Sequence, residues 1–450
     1  MTRRTRPVAI GRRPSAAVAV SWLLLAAGAG GALAADWPCW RGPYRDGICR
    51  EIGLLKEWPE EGPRLLWKCR ELGDGFSGPA IVGNMLYTMG QRNGAEWVIA
   101  VDCAHGGQVI WATPIGPIRH SGGGQPGPRS TPAVYRGKVY ALGMNGDLVC
   151  LDAMSGAGDW RCNLVFEFGG RVPKYGYSES VLIDGRWVVC TPGGPQCSML
   201  ALWRLNGEKV WACPAGDGAA YSSIIKVSIG GVHQYVQFTD TGVIGVQVRG
   251  GKLLWRYEKP SNETANCPTP LWNLHQTIFA ASGYGVGGGM VWPKLTPQGE
   301  FKPEEVYFTD KMQNHHGGMI AWDWHVYGCS NPSDLTCMDW KTGEVKWTDR
   351  SSGKCSLLFA DGMLIARSEK GLVSLVEATP EGFRLKGRFT QPERTRRSTW
   401  THPVISGGRL FLRDQHLLLC YDLREGSLEE KPKEDEKERK RRPSRRTREE

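Results

Sequence analysis

One short pattern recurs along this chain: a strand, an Asp, a turn that closes at Gly, and a second strand that ends in Trp. The clearest copies are LTCMDWKTGEVKW (335–347) and DLVCLDAMSGAGDW (147–160). Further copies are WVIAVDCAHGGQVIW (97–111), SMLALWRLNGEKVW (198–211) and GVIGVQVRGGKLLW (242–255), with weaker ones at 290–308, 372–389 and 417–426. The copies are spaced by roughly 40 to 50 residues, which indicates a repeat architecture.

An apolar hairpin precedes every copy of this pattern. PAVYRGKVYALG (132–143) and HPVISGGRLFLRD (402–414) are examples, and eight such hairpins can be aligned. Each unit therefore supplies four short strands, and no stretch shows the apolar period of a helix. The sequence predicts an all-β fold, an eight-bladed β-propeller with four antiparallel strands in each blade.

The two ends of the chain predict how the ring closes. The last unit stops after Asp422 without an outer strand, whereas the first unit is preceded by a spare one, RLLWK (64–68). We expect residues 64–68 to join the last blade and to cover an edge that would otherwise stay open.

The remaining segments are predicted from composition. Residues 1–34 carry five Arg, an apolar run and an Ala-Leu-Ala cleavage signal, typical of a signal peptide for export to the periplasm or cell envelope. No other run is long enough to span a membrane. We interpret 35–63 as an extension that packs across the last blades, 64–424 as the propeller, and 425–450 as a disordered charged tail.

The formal net charge of +10 gives no argument for nucleic-acid binding. The signal peptide contributes +5 of it, and residues 428–450 contribute ten Lys or Arg against eight Asp or Glu, so +2. The ring itself is left near +3.

The 14 cysteines are interpreted mainly as packing residues. Cys150, Cys337 and Cys420 occupy a position two residues before the Asp, where other repeats carry Ala, Gly or Ser. A slot that accepts only small side chains favours Cys as a small apolar residue. Two pairs remain as disulfide candidates, Cys39 with Cys49 and Cys190 with Cys197. There is no CxxC and no Cys/His spacing typical of zinc.

The Asp, Gly and Trp of the repeat have a mechanical interpretation. The Asp can accept backbone N–H bonds in the turn, and the Gly can supply positive φ. Each Trp buries a large ring, and we expect it to dock against the next blade. The predicted structural docking residues are Trp67, Trp111, Trp160, Trp211, Trp255 and Trp347.

The eleven-residue pattern at 337–347, 150–160, 201–211 and 245–255 resembles the tryptophan-docking repeat of the pyrroloquinoline-quinone (PQQ) propeller family. That family includes quinoprotein alcohol dehydrogenases and BamB-type assembly factors of outer membranes. The resemblance implies either a non-catalytic binding scaffold in envelope assembly, without a cofactor, or a dehydrogenase that oxidises alcohols or sugars with PQQ and Ca²⁺. The family's dehydrogenases carry two adjacent Cys beside the quinone, and this sequence has no Cys-Cys pair. We therefore favour the scaffold.

Aligned hairpins identify the residue that precedes each inner strand, and these residues should surround one mouth of the central channel. They are Phe76, Arg129, Tyr177, Tyr221, Cys267, His316, Lys354 and Trp400, with Glu179, Asn266 and His315 close by. Polar channel mouths are common in propellers whatever their function. The functional interpretation is a recessed site in which aromatic faces stack and cations attract negative charge.

We expect the partner at this mouth to be a protein or acidic peptide, or a small planar anion, and the protein to be a monomer. Glu179 is the one weak candidate for a catalytic base. His315 and His316 lack a third ligand at a suitable spacing, so no metal site is predicted.

Overall fold

The computed structural model describes residues 36–119 and 125–428. These residues form eight β-sheets and no helix, so none of them forms a helix that could cross a membrane. Each sheet is built from four antiparallel strands, and one sheet carries a fifth strand. The prediction of an all-β, eight-bladed propeller is confirmed. The predicted signal peptide 1–34 and most of the tail 425–450 lie outside the described residues.

The strands of blades 1 to 4 follow one another from the channel outward. Blade 1 holds β3 (Ala80–Val82), β4 (Met85–Arg92), β5 (Ala95–Asp102) and β6 (Gln108–Pro117); blade 2 holds β7 (Ala133–Tyr135), β8 (Lys138–Leu142), β9 (Asp147–Asp152) and β10 (Gly158–Asn163); blade 3 holds β11 (Leu182–Asp184), β12 (Trp187–Cys190), β13 (Met199–Trp203) and β14 (Lys209–Cys213); blade 4 holds β15 (Ile225–Ile229), β16 (Val232–Phe238), β17 (Val243–Gln247) and β18 (Leu253–Tyr257).

Blades 5 to 8 repeat this order, with two additions from the N-terminal segment. Blade 5 holds β19 (Leu271–Trp272), β20 (Ile278–Ser282), β21 (Gly287–Leu295) and β22 (Phe301–Thr309); blade 6 holds β23 (Asn314–Trp322), β24 (His325–Ser330), β25 (Asp334–Asp339) and β26 (Val345–Asp349); blade 7 holds β27 (Cys355–Ala360), β28 (Met363–Ser368), β29 (Leu372–Glu377) and β30 (Leu385–Thr390), with β1 (Ile48–Cys49) beside β27; blade 8 holds β31 (Val404–Ser406), β32 (Arg409–Asp414), β33 (Leu417–Asp422) and β2 (Leu65–Cys69).

The ring closes as the sequence predicts. Strand β2 pairs antiparallel with β33, and Trp67 lies opposite Cys420. The guanidinium of Arg64 forms an ion pair with the buried carboxylate of Asp422 at 3.0 Å. The start of the propeller thus supplies the outer strand of its last blade, and the edge of β33 is covered.

The docking tryptophans connect neighbouring blades through one shared geometry. The indole N–H of Trp111 donates to the carbonyl of Ala153 in blade 2 (3.1 Å), and that of Trp160 donates to Arg204 in blade 3 (3.0 Å). The Trp111 ring also covers Gly156, where an added Cβ would lie 2.6 Å from a ring atom. This contact explains why the turn of the next repeat requires Gly.

Several blades vary this geometry. In the described part of the chain, the indole N–H groups of Trp67 and Trp211 have no hydrogen-bond partner, although their rings cover Gly107 and Gly251. In blade 5 the docking position is held by Tyr307, whose hydroxyl donates to the carbonyl of Trp340 (3.1 Å) and whose ring covers Gly343. In blade 4 the indole N–H of Trp255 donates to Gln234 of its own blade (2.6 Å). The ring of Trp255 is buried all the same, so it still contributes apolar packing.

The predicted role of the Asp is confirmed in its turns. The carboxylate of Asp152 accepts the backbone N–H groups of Met154 (3.1 Å) and Ser155 (3.0 Å). Asp339 accepts those of Lys341 and Thr342, each at 2.9 Å. These bonds occupy amide donors that the tight turn leaves free.

The N-terminal extension reaches further around the ring than the last blades. Trp37 bridges to Ile81 of blade 1, and the carbonyl of Pro38 accepts the N–H of Val134 of blade 2. Strand β1 pairs parallel with Phe359 and Ala360 of blade 7. These contacts lie along the inner strands, so the extension crosses the channel toward the end where those strands finish.

All 14 cysteines lie in the described residues and are free thiols, so neither Cys39–Cys49 nor Cys190–Cys197 is bonded. Cys150, Cys337 and Cys420 are buried in the apolar clusters between blades. Their placement agrees with a packing role for this position of the repeat.

Candidate functional site

A cavity of about 330 Å³ opens at the channel mouth where the inner strands begin. Residues from the start of these strands and the segments before them surround it, together with one turn that reaches the same end of the ring. The lining residues are Phe76, Gln125, Arg129, Tyr175, Ser178, Tyr221, Ala265, Cys267, Tyr284, His315, His316 and Trp400. The structure thus brings together around one space the predicted positions Phe76, Arg129, Tyr221, Cys267, His315, His316 and Trp400.

Aromatic rings form two walls of this cavity. Phe76 and Trp400 stack with their ring centroids 4.8 Å apart and their planes at 28°. Tyr175 and Tyr221 meet with centroids 5.7 Å apart on another side. The stacked pair of Phe76 and Trp400 presents a flat apolar face on which a planar group can lie, whereas the tyrosine rings are tilted by 43°.

Arg129 is fixed by its neighbours and faces the cavity. Its Nη1 donates to the carbonyl of Tyr175 (2.8 Å), and its Nη2 donates to the carbonyl of Gln125 (2.6 Å). The guanidinium carbon lies 5.8 Å from the centroid of the Phe76 ring. Burial lowers the pKa of Arg129 below its ordinary value, because the charged form loses hydration.

A chain of three side chains orients a hydroxyl donor toward the cavity. The Lys354 ammonium donates to Nδ1 of His315 at 2.7 Å, and Nε2 of His315 lies 2.9 Å from the Tyr284 hydroxyl. Burial, with the charges of His316 and Lys354, lowers the pKa of His315 to about 3, so this ring is neutral at pH 7. A neutral ring that accepts at Nδ1 must carry its proton on Nε2 and donate to Tyr284. The hydroxyl hydrogen of Tyr284 is then free to bind a ligand.

Behind this chain, Glu369 holds the second histidine. Its Oε1 accepts from Nε2 of His316 (2.7 Å) and from the indole N–H of Trp400 (2.9 Å), and it lies 3.9 Å from the Lys354 ammonium. Burial by itself would raise the pKa of Glu369, but the bond from His316 and the nearby cations lower it to about 2. The ionised carboxylate thus fixes one wall of the cavity.

A bulge in the inner strand of blade 6 carries both histidines. Asn314 pairs with Ser330 and Met319 pairs with Gly328, so the four residues between them leave the ladder. A Cβ on Gly317 would lie 2.0 Å from the carbonyl oxygen of Cys355. The bulge can approach blade 7 this closely because Gly317 has no side chain.

Besides Lys354, which lies behind His315, three predicted residues do not line the cavity. Tyr177 is buried and donates its hydroxyl to the carbonyl of Pro192 (2.6 Å). Asn266 is buried and donates to the carbonyls of Thr239 (3.0 Å) and Asp240 (3.1 Å). These side chains hold the segments that lead into blades 3 and 5, and the third, Glu179, has a different environment.

Glu179 lies deeper in the channel wall, where it is 2% exposed. Its Oε2 accepts the N–H of Thr191 (2.7 Å), and its Oε1 accepts the Thr191 hydroxyl (3.1 Å) and the Gln237 amide (3.2 Å). Burial raises the pKa of Glu179 to about 8 despite these bonds and the charge of Arg45. Its oxygens are thus engaged with the wall and do not reach the cavity.

The N-terminal extension contributes buried cations below the cavity. Arg45 is 4% exposed and donates to the carbonyls of Ser180 (2.6 Å) and Val181 (3.1 Å) of blade 3. Arg41 is 3% exposed and donates to the carbonyl of Met319 of blade 6. The extension therefore spans between blades 3 and 6.

Sequence reasoning missed Tyr175, Tyr284 and Glu369. Tyr284 and Glu369 lie in the turns between the second and third strands of blades 5 and 7. In an antiparallel blade this turn returns to the mouth where the inner strand begins. The predicted topology could therefore have indicated these turns, whereas nothing in the repeat indicates Tyr175.

The donor set does not fit the Ca²⁺–quinone site of the dehydrogenases. Ca²⁺ takes six to eight oxygen ligands, mostly carboxylates and carbonyls. The carboxylate behind the cavity wall is Glu369, and its Oε1 already accepts hydrogen bonds from His316 and Trp400. Residues 36–119 and 125–428 contain no group of three or more His, Cys, Asp or Glu that could hold a metal ion.

The fold and this site define an eight-bladed propeller of the tryptophan-docked type, with a recessed cavity at one mouth. Residues 94–349 match the family model described as outer membrane protein assembly factor BamB. The chain belongs to this family. No curated protein matches it.

Solved structures with low sequence identity share the fold. BamB from Moraxella catarrhalis has a TM-score of 0.59 at 13% identity, over 80% of this chain and 100% of that one. Quinohemoprotein alcohol dehydrogenase from Comamonas testosteroni has a TM-score of 0.60 at 12% identity, over 86% and 80%. A europium-containing methanol dehydrogenase has a TM-score of 0.59 at 11% identity, over 84% and 89%. At these identities the likeness establishes the fold alone.

Proposed function

We propose that this protein is an exported, non-catalytic binding scaffold whose channel-mouth cavity holds an acidic peptide segment of a protein partner in the cell envelope. The observation that carries this proposal is the joint presentation of Arg129 and the Tyr284 hydroxyl between stacked aromatic rings. A ligand with a carboxylate next to an aromatic side chain would accept hydrogen bonds from Arg129 and Tyr284 and stack on the aromatic rings.

The charge of the site supports an anionic ligand. Arg129 and Lys354 contribute two cations, and Glu369 contributes one carboxylate, which leaves a net positive charge around the cavity. Because His315 is neutral, the excess positive charge comes from Arg129 and Lys354. Partly desolvated cations of this kind attract carboxylates more strongly than exposed ones.

The family supports a protein partner. Its description as an outer membrane protein assembly factor favours a role in envelope protein assembly, in keeping with the predicted signal peptide. Propellers present their channel mouths as rigid surfaces, so a short segment of the partner can bind there at a low entropic cost to the scaffold.

A small planar anion is the second candidate ligand. The stacked pair Phe76 and Trp400 offers a flat face, and a cavity of about 330 Å³ lies within the range of small-molecule sites. Naphthalene-2-carboxylate, which combines a fused aromatic ring system with one carboxylate, is a suitable probe for it.

Binding to the full-length chain tests both candidates by calorimetry. The probes are naphthalene-2-carboxylate and a short peptide of Asp and Glu with one central Phe. We expect the peptide to bind, and the double variant Arg129→Ala/Lys354→Ala to weaken binding by roughly tenfold or more, since charge-assisted hydrogen bonds contribute about 1.5–3 kcal/mol each.

The exposed cation of Lys311 provides the matched control, because Lys311→Ala removes a charge outside the cavity. Equal affinity of the double variant and the unaltered chain would place the binding surface elsewhere. Binding of naphthalene-2-carboxylate without the peptide would favour the small anion.

The dehydrogenase alternative is tested separately. The chain is mixed with PQQ and Ca²⁺, and the quinone absorption and dye-linked oxidation of alcohols and sugars are recorded. Turnover would overturn the non-catalytic proposal, whereas an unchanged spectrum and no turnover would support it.

A further inference from the structure

Two buried thiols meet across the boundary between blades 6 and 7. Cys329 lies in β24 of blade 6, and Cys355 begins β27, the inner strand of blade 7. They are 4% and 1% exposed. The backbone N–H of Cys355 donates to Sγ of Cys329 at 3.3 Å, so the sulfur of Cys329 lies against the first residue of β27.

The bulge that carries the histidines makes this contact possible. Because residues 315–318 leave the ladder, the side chain of Cys329 reaches past β23 to the first residue of blade 7. Gly317 packs directly on the carbonyl of Cys355. Cys355 also follows Lys354, whose ammonium binds His315 at the cavity. The thiol pair thus lies directly behind one wall of the candidate site.

We propose that Cys329 and Cys355 form a disulfide that links blade 6 to blade 7 behind the channel-mouth cavity. The backbone nitrogen of Cys355 lies 3.3 Å from Sγ of Cys329, so rotation of the Cys355 side chain can bring its sulfur to bonding distance. The bond would fix Lys354 relative to the strand that carries His315.

The hydrogen-bond pattern indicates which thiol reacts first. The bonds from the Cys355 side chain and amide, together with the charge of Lys354, lower the pKa of Cys329, although burial opposes this. Cys355 is the hydrogen-bond donor, and its pKa is raised well above the ordinary value. A thiol with a lower pKa is more often the thiolate, so Cys329 is the attacking nucleophile.

The oxidant is a disulfide, either of a thiol–disulfide oxidoreductase or of oxidised glutathione. The Cys329 thiolate attacks one oxidant sulfur, and the other oxidant sulfur leaves as a thiolate. The Cys355 thiolate then attacks Sγ of Cys329 and releases the second oxidant sulfur. The two protein thiols lose two electrons and two protons in total, and the oxidant disulfide becomes two thiols. Because both cysteines are buried, the exchange takes place while the chain folds.

The test is a disulfide map of the full-length chain, refolded in a mixture of oxidised and reduced glutathione and then alkylated under denaturing conditions. Cleavage by trypsin and by a protease that cuts before Asp separates Cys329, in 323–333, from Cys337. We expect the peptide 323–333 linked to 355–360 and two hydrogens lighter than the reduced pair. Alkylated Cys329 and Cys355, or a link from either to another cysteine, would overturn the proposal.

A stability measurement adds a second readout that does not depend on peptide mapping. Addition of a reductant should lower the thermal midpoint of the refolded chain, because the cross-link restricts the unfolded state. The double variant Cys329→Ala/Cys355→Ala should show no such shift, whereas Cys190→Ala should retain it. The same reductant shift in the double variant and the unaltered chain would refute the assignment.

Discussion

The buried carboxyl of Glu179 should make the stability of this propeller depend on pH. Burial raises its folded-state pKa to about 8, whereas the ordinary value is 4.5. Between these values the folded chain holds a proton that the unfolded chain has lost, so the free energy of unfolding decreases as the pH rises. This stabilising contribution of Glu179 to the free energy of unfolding is fully present below pH 4.5 and is lost above pH 8.

The difference between about 8 and 4.5 corresponds to roughly 5 kcal/mol, of which about 4 kcal/mol falls between pH 5 and pH 9. Glu179→Gln keeps the shape of the side chain and cannot ionise. The free energy of unfolding of the unaltered chain, minus that of the variant, should therefore fall by about 4 kcal/mol from pH 5 to pH 9.

Urea unfolding of both chains at several pH values measures this difference. Glu71→Gln serves as the control, because Glu71 is an exposed carboxyl of the same type. The free energy of unfolding of Glu71→Gln, plotted against pH, should run parallel to that of the unaltered chain. Parallel curves for Glu179→Gln as well would refute the reasoning, since Glu179 would then titrate alike in the folded and unfolded states.

Two further predictions concern the scaffold. Gly90→Ala should destabilise the chain by about 1–3 kcal/mol or more, because the new Cβ would lie 1.7 Å from the carbonyl oxygen of Leu72. Gly158→Ala is its control, with nothing within 4 Å of the new atom, and similar urea midpoints for both would contradict the argument. Trp67→Ala should cost about 3 kcal/mol, because its ring packs on Gly107 and Phe411 where the ring closes. Trp292→Ala, at a partly exposed Trp, should have a much smaller effect, and an equal loss in the two would count against a closure role for Trp67.

Much of the fold could be predicted because its signals are local in sequence. The Asp of each turn binds amides two and three residues ahead, as Asp152 and Asp339 do. In four turns the Gly lies under the tryptophan of the preceding repeat, as Gly156 lies under Trp111, so the pattern of one blade reflects its packing against the neighbouring blade. The number of repeats also predicted the closing strand, since the last repeat had no outer strand and residues 64–68 were left over.

The candidate site was predicted less completely because its residues come from separate parts of the chain. Alignment of the inner strands identified Phe76, Arg129 and Trp400, since each precedes such a strand. It selected Tyr177, which is buried, whereas Tyr175, two residues earlier, lines the cavity. Register in an irregular segment depends on packing, and the pattern of the strands does not extend into it.

The sequence by itself determined the repeat, the number of blades and the closure of the ring, because turn chemistry and alternating apolar residues act over a few positions. Only the tertiary structure decided that Glu369 fixes His316, that Lys354 orients His315 toward Tyr284, and that Cys329 reaches Cys355. These pairs belong to different hairpins or different blades, and their distances depend on how far the bulge at 315–318 departs from its strand. Such contacts arise when the blades pack against one another, so no local pattern in the chain encodes them.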